Sequence, residues 1–179
     1  MGLVDGVLDT RSSWIGRHEV VEVRFDPGRI GYERLLDVAI AHGCADRAWA
    51  TSAAQLSQAE DRLGADAERL EGEPRIAKAS DQLYYLRSST LRYVPLTPLQ
   101  ARRVNGALFT TALAAAAEDA EVVEAAEFMS PRQRALDARI HEALRRDRSA
   151  LDGLVRPEGR VGLGAYAAEL EARLSAAGV

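Results

Sequence analysis

The segment His18–Phe25, with the sequence HEVVEVRF, constrains the fold more than any other part of the chain. Its residues alternate, so that Val21 and Val23 fall on an apolar face and the residues between them on a mixed face. The preceding segment Gly6–Ile15 is a weaker strand candidate, and only Gly16-Arg17 separates the two. Because so short a connection is typical of a β-hairpin, the sequence predicts an antiparallel pair near its beginning.

The rest of the first half predicts two helices and one further strand. Tyr32–His42 carries an apolar stripe at helical spacing, and Gly43 is suited to end that helix. Ala53–Leu70 is a second amphipathic candidate, weakened by Gly64. Gln82–Val94 contains three tyrosines and reads as a strand that is ended by the following proline.

The second half is rich in alanine and helical in pattern. Thr97–Gln100 and Ser130–Gln133 each combine a hydroxyl, a proline and a glutamine, which together indicate a capping box at a helix start. Helices are expected at about 98–127, either whole or broken, and at 131–149, with a last one at Leu163–Ala176. The sequence therefore predicts an α+β domain at about 1–95 and, over 96–179, a helical extension that packs on it.

Composition excludes several classes of function. The chain has 179 residues, with 23 Lys and Arg against 27 Asp and Glu, which leaves no broad basic surface for nucleic acid or an anionic membrane. A lone cysteine excludes an internal disulfide and a cysteine-rich zinc site, and the three scattered histidines give no metal-binding spacing. No metal or cofactor is expected. Without a signal-peptide pattern or a long apolar run, the expected location is the cytoplasm.

Glu19 is the first candidate for chemistry. On the predicted strand it shares its face with Val21 and Val23, so its side chain points toward the apolar side. Burial disfavours the charged form of a carboxyl group, and a neutral carboxylic acid can donate a proton near neutral pH. The alternative is a carboxylate at the rim of the strand that reaches water or pairs with an arginine, since acids are rarely buried unless they are paired.

Cys44 is the second candidate, because it is the only thiol of the chain. A reactive cysteine needs surroundings that favour its thiolate. Arg47 and His42 would favour it, whereas Asp46 and the negative end of the preceding helix would oppose it. The alternative is a small buried side chain without a chemical role.

The segment from Gly6 to His42 resembles the A-type peptide-methionine sulfoxide reductases. Members of that family carry a stretch similar to GVLSTRVGYAGG and then GHTEVVEVxFDPxxISYEELLDVFW. Here the chain reads GVLDTR from Gly6, then GRHEVVEVRFDP from Gly16 and IGYERLLDV from Ile30. A weaker similarity, to the family's YPLTPEQ, lies at Tyr93–Gln100.

The resemblance implies a mixed sheet with flanking helices and a thiol-dependent reduction of methionine-S-sulfoxide. In the family a cysteine thiolate attacks the sulfoxide sulfur while a glutamic acid protonates the oxygen, and thioredoxin usually supplies the reducing thiols. Glu19 falls on the position of that glutamate. Cys44 is the only thiol that could act as nucleophile, and Trp14, Asp81 and Tyr85 are candidates for substrate binding. Methionine sulfoxide or an oxidised peptide, and an external thiol reductant, are the implied partners.

The family's nucleophile lies in a Gly-Cys-Phe-Trp motif ahead of the segment that matches Gly6, and this sequence has no counterpart of it. Two explanations follow. The natural start lies upstream of Met1, or the chain is a divergent branch that has lost the reaction or moved it to Cys44. Two functions therefore stay open: a sulfoxide reductase, or an inactive scaffold that binds a peptide or small ligand.

Overall fold

The computed structural model describes residues 1–115 and 121–179. The chain divides into two compact units, Met1–Ala79 and Ser80–Val179. This boundary precedes the change of composition near residue 95. Taken together, the described elements make a mixed α/β protein with a small sheet and flanking helices.

The first unit is built on a hairpin. Its elements are β1 (Val7–Ile15), β2 (His18–Phe25), α1 (Tyr32–Ala41), β3 (Ala48–Ala50), α2 (Ala53–Leu63), β4 (Ala67–Arg69) and β5 (Arg75–Ile76). Strand β1 is the centre of an antiparallel sheet with the order β2-β1-β5, while β3 and β4 form a separate parallel pair. The predicted hairpin is confirmed: Ile15 pairs with His18, and Gly16 has the positive φ of 58° that the first residue of a type II′ turn needs.

Glycines end both helices of the first unit. Helix α1 runs nearly as predicted, and Gly43 follows it with a φ of 62°. The prediction of one helix over 53–70 is wrong in its second part, because α2 ends at Leu63 and Gly64 takes a φ of 58°. A single 3₁₀ turn at Gly64–Asp66 then leads into β4.

The first unit has a small apolar cluster at the end of the hairpin that is remote from its turn. Val7, Ile30 and Leu35 are buried there, and the partly buried Val23 and Phe25 of β2 pack against them. Gly6 is required at this point, because its φ is 85° and an added Cβ would lie 2.6 Å from the Ile30 side chain.

Helices make up the second unit, over the residues that the structure describes. They are α3 (Tyr84–Ser88), α4 (Pro98–Ala114), α5 (Pro131–Arg146) and α6 (Leu163–Ala176). The strand predicted over 82–94 is wrong: this segment forms α3 and a 3₁₀ turn at Thr90–Tyr93. Its β-formers are overridden by tertiary contacts, since Leu86 and Tyr93 are buried in the helical core.

Both predicted capping boxes are present, at Thr97 and at Ser130. Their glutamines, Gln100 and Gln133, also hydrogen-bond to each other at 2.9 Å, which joins the two helix starts. The helix predicted over 98–127 ends at Ala114, residues 116–120 lie outside the described part, and a 3₁₀ turn occupies Ala125–Phe128. Helix α5 stops three residues before the predicted position 149, and α6 is as predicted.

The core of the second unit is extensive. Completely buried side chains come from several helices and the loops between them, namely Leu86, Val94, Leu96, Val104, Ile140, Leu151, Leu170 and Leu174. The Tyr166 hydroxyl donates a hydrogen bond to the Tyr93 carbonyl at 2.7 Å inside this core. Within the described residues, no helix is both long and apolar enough to cross a membrane.

Candidate functional site

Glu19, Trp14 and Arg75 form a row across the sheet of the first unit. Trp14 on β1 pairs directly with Glu19 on β2 and with Arg75 on β5. Cross-strand partners share a face of the sheet, so the three side chains leave it side by side. The Arg75 guanidinium carbon lies 5.8 Å from the centre of the Trp14 ring, at the distance of a cation–π contact. We call these three residues the cross-strand row.

Glu19 shares its face with Val21 and Val23 but is exposed, so the expected burial of its carboxyl group is wrong and the alternative of a carboxylate at the rim holds. The apolar cluster involves only the far end of β2, at Val23 and Phe25. Nearer the turn, Val21 keeps 53% of its surface exposed. Among the described residues Glu19 forms neither a hydrogen bond nor an ion pair, which leaves its carboxylate available to a ligand.

A second acid of the same strand has a different environment on the opposite face. Glu22 accepts a hydrogen bond from Arg11 Nη2 at 2.8 Å and another from the hydroxyl of Ser13, which is completely buried. The hydrogen bond from Arg11 is the largest influence that lowers the pKa of Glu22, and the Ser13 hydroxyl adds to it against the effect of burial. Glu22 is therefore an ionised acid that ties β1 to β2.

Cys44 lies in the loop after α1 and is exposed. Its thiol lies 3.5 Å from the main-chain carbonyl of His42, to which it can donate a weak hydrogen bond. Its main-chain N–H bonds back to Ala39 at 2.8 Å, as part of the turn that ends the helix. The thiol is thus accessible to solvent, in the turn that ends α1.

Arg47 does not serve Cys44 in the way that the sequence suggests. Its guanidinium forms ion pairs with Asp66 at 3.0 Å and with Glu68 at 2.8 Å. It also lies 5.9 Å from the ring centre of Trp49, which contacts the His18 ring at 5.6 Å. Two carboxylates thus hold this cation beside the second tryptophan of the chain.

Asp81 and Tyr85 belong to the second unit, whereas Glu19, Trp14 and Cys44 belong to the first. Asp81 accepts a hydrogen bond from the neighbouring Ser80 hydroxyl at 2.9 Å. Tyr85 lies between two other aromatic rings, with centres 5.3 Å away at Tyr84 and 5.5 Å away at Phe109. Among the predicted site residues, Trp14 and Glu19 are the two that the sheet places directly opposite each other.

Arg75 is the member of the cross-strand row that the sequence patterns do not predict. It lies on a strand of two residues after Pro74, too short to give a periodic signal. In the described part of the chain, no group of three acidic, histidine or cysteine side chains could hold a metal ion. Comparisons with protein-family models, with curated proteins and with solved structures find no match to this chain.

Proposed function

We propose that the chain is a binding protein for methionine S-oxide and that the cross-strand row is its binding surface. The observation that carries the proposal is the register that places a carboxylate, an indole ring and a guanidinium next to one another on one face. The similarity of Gly6–His42 to the sulfoxide reductases supports the same ligand class. A non-catalytic role is favoured because Glu19, which falls on the position of the family's proton-donating glutamate, is exposed rather than buried.

Each part of the ligand has a matching side chain in the row. The methyl and methylene groups of methionine S-oxide pack on the indole of Trp14. The sulfoxide oxygen is a strong acceptor, and the neighbouring Arg75 guanidinium supplies N–H donors for it. Glu19 accepts from an amide or ammonium group of the ligand. Methionine itself lacks the oxygen, so it should bind more weakly than its S-oxide.

The test is a titration with N-acetyl-methionine S-oxide amide followed by calorimetry. We expect Trp14→Ala to abolish binding and Arg75→Gln to weaken it about tenfold or more, since a charged hydrogen bond is lost. Trp49→Ala is the matched control, because Trp49 also lies beside an arginine but outside the row. An affinity that Trp14→Ala leaves intact, or that Trp49→Ala reduces equally, would overturn the proposal.

Reduction of the sulfoxide is a second candidate function, favoured by the exposure of the Cys44 thiol in the same unit as the row. The Cys44 thiolate would attack the sulfoxide sulfur, and the oxygen would take up a proton from the solvent, to which this exposed thiol is open. Methionine would then leave and Cys44 would remain as the sulfenic acid. Two external thiols, such as those of a thioredoxin-like protein, would return it to the thiol, with the release of water and formation of a disulfide.

This second function is tested by methionine-S-sulfoxide turnover with excess dithiothreitol. The parent chain and its Cys44→Ser variant are compared side by side. Turnover in the parent alone would establish Cys44 as the nucleophile. Binding without turnover in either chain would leave the role as a binding protein, and turnover that survives in Cys44→Ser would exclude this mechanism.

A further inference from the structure

Strand β2 forms the edge of the three-stranded sheet. Among the described residues it pairs only with β1, on one of its two sides. An edge strand carries a row of main-chain donors and acceptors that can pair with another strand. Charged residues usually protect such an edge, and β2 has three of them, Glu19, Glu22 and Arg24. Their order along the strand determines which partner the edge fits.

The hydrogen bonds of β1 show which main-chain groups of β2 face outward. The Ser12 carbonyl accepts from the N–H of Ala77, the residue after β5, at 3.1 Å, so Ser12 directs its main-chain groups away from β2. Ser12 pairs with Val21, and in an antiparallel ladder this makes Val21 direct its own groups away from β1. By the alternation of the ladder, Glu19 and Val23 do the same.

We propose that this edge binds the β2 strand of a second copy of the chain, antiparallel, with the two Val23 residues facing each other on a two-fold axis. With the axis through Val23, the outward N–H and carbonyl groups of one β2 strand face those of the other and can form hydrogen bonds with them. The axis is normal to the sheet, so it pairs odd-numbered residues with odd-numbered ones and even with even. Side chains on one face of the first copy therefore continue on the same face of the second. The two hairpin sheets would then become one continuous sheet of six strands.

This register is complementary in charge on one face. It places Glu22 of each copy opposite Arg24 of the other, on the face that also carries Arg11 and Asp9. Within one copy Arg11 pairs with Glu22 at 2.8 Å and Arg24 lies 3.9 Å from Asp9. Across the dimer the facing side chains on this face therefore alternate in charge. Arg11 and Glu22 of one copy are followed by Arg24 and Asp9 of the second. Opposite charges in directly facing positions stabilise a sheet.

The other face of the same register is apolar. Val21 of each copy comes opposite Phe25 of the second, and the two Val23 side chains meet at the axis. Val21 is 53% exposed in the single chain, so pairing would remove apolar surface from water. The neighbouring register, with the axis through Val21, places Glu22 opposite Val20 and gains no ion pair. Of the two registers, only the one centred on Val23 combines facing opposite charges, apolar side-chain contacts and main-chain hydrogen bonds.

The oligomeric state of the full chain tests the proposal, measured by sedimentation equilibrium over a range of concentrations. We expect a monomer–dimer equilibrium and, for Arg24→Glu, a dissociation constant raised about tenfold or more, since two facing pairs change from attraction to repulsion. Arg17→Glu is the matched control: it changes the charge equally at the exposed turn, outside the paired segment. A chain that stays monomeric at all concentrations would refute the interface.

A cross-link tests the register independently of affinity. In a hydrogen-bonded antiparallel pair the facing Cα atoms are about 5.5 Å apart, within the range that a disulfide spans. In a Cys44→Ser background, Val23→Cys should therefore form a covalent dimer under mild oxidation, whereas Arg17→Cys should not. A dimer that resists Arg24→Glu and in which Val23→Cys links no faster than Arg17→Cys would show that another surface holds the two copies.

Discussion

The two units are stabilised in different ways. The second contains a large apolar core in which side chains such as Ile140 and Leu170 have no exposed surface. The first has a smaller apolar cluster of Val7, Ile30 and Leu35 and a few other buried residues, mostly alanines, while its hairpin also relies on the strand ladder and on polar contacts. A region that uses few side chains for a core can present others to ligands, as we propose for the cross-strand row.

The same difference separates two kinds of acidic residue. In the first unit Glu22 is engaged by Arg11 and Ser13, while Glu19, on the other face of the same strand, is exposed. Side chains along a strand point alternately to the two faces, so two residues that are three positions apart lie on opposite faces. The strand thus uses Glu22 to hold the hairpin together and leaves Glu19 exposed.

The largest expected effect comes from the core of the second unit. Leu170→Ala removes a completely buried side chain and should lower the free energy of unfolding by about 2–5 kcal/mol. Urea unfolding followed by far-UV circular dichroism measures it, because the second unit is mainly helical. Val161→Ala is the control: Val161 is 91% exposed, and its truncation should change little. An equal loss in both variants would show that the core has been misidentified.

A smaller effect is expected in the first unit from Glu22→Ala. The substitution deprives the buried Ser13 hydroxyl of its acceptor, and an unsatisfied buried group costs about 1–3 kcal/mol. Both tryptophans, Trp14 and Trp49, lie in this unit, so their fluorescence during urea unfolding reports on it. Glu22→Gln keeps an acceptor for Ser13 and should lose less. A larger loss in Glu22→Gln would contradict the assigned role.

The second unit also contains a polar contact that responds to alkaline pH. Burial raises the pKa of Tyr166, whose hydroxyl donates to the Tyr93 carbonyl. The folded chain therefore retains this proton above pH 10, where an unfolded tyrosine loses it, so stability should fall as the pH rises beyond about 10. Tyr166→Phe should cost about 1–2 kcal/mol at pH 7 and flatten that decline. Melting curves of the parent chain and of Tyr166→Phe, recorded from pH 8 to pH 11, measure this decline. A decline that is unchanged in the variant would exclude Tyr166 as its cause.

Sequence patterns predicted the local elements of the chain better than its long-range contacts. The hairpin, α1, α6 and both capping boxes depend on neighbouring residues, and each is present. The strand predicted over 82–94 was wrong because the burial of Leu86 and Tyr93 depends on distant helices. The same limit applies to the site: Glu19 and Trp14 lie on one hairpin, whereas Arg75 joins them only through the pairing of β1 with β5.

The smallest effect is expected from the surface of α5 and sharpens the contrast between the units. Hydrogen bonds from Arg145 and then Arg146 lower the pKa of Glu142 to about 2. A carboxyl group whose pKa is lower in the folded chain stabilises it above the unfolded value of about 4.3, and this contribution is lost as the pH falls toward 2. Because these side chains face solvent, the gain is small and screened by salt.

Glu142→Gln should therefore change the melting temperature little at pH 7 and reduce its decline between pH 5 and pH 2. Glu22→Gln provides the comparison in the first unit, since the pKa of Glu22 is also lowered, but by partners that include the buried Ser13. We expect 1 M salt to remove most of the effect at Glu142 and less of that at Glu22, because one of the groups that lower the pKa of Glu22 is the uncharged, completely buried Ser13 hydroxyl. Equal salt sensitivity at the two positions would show that the hairpin network is as exposed as the helix surface.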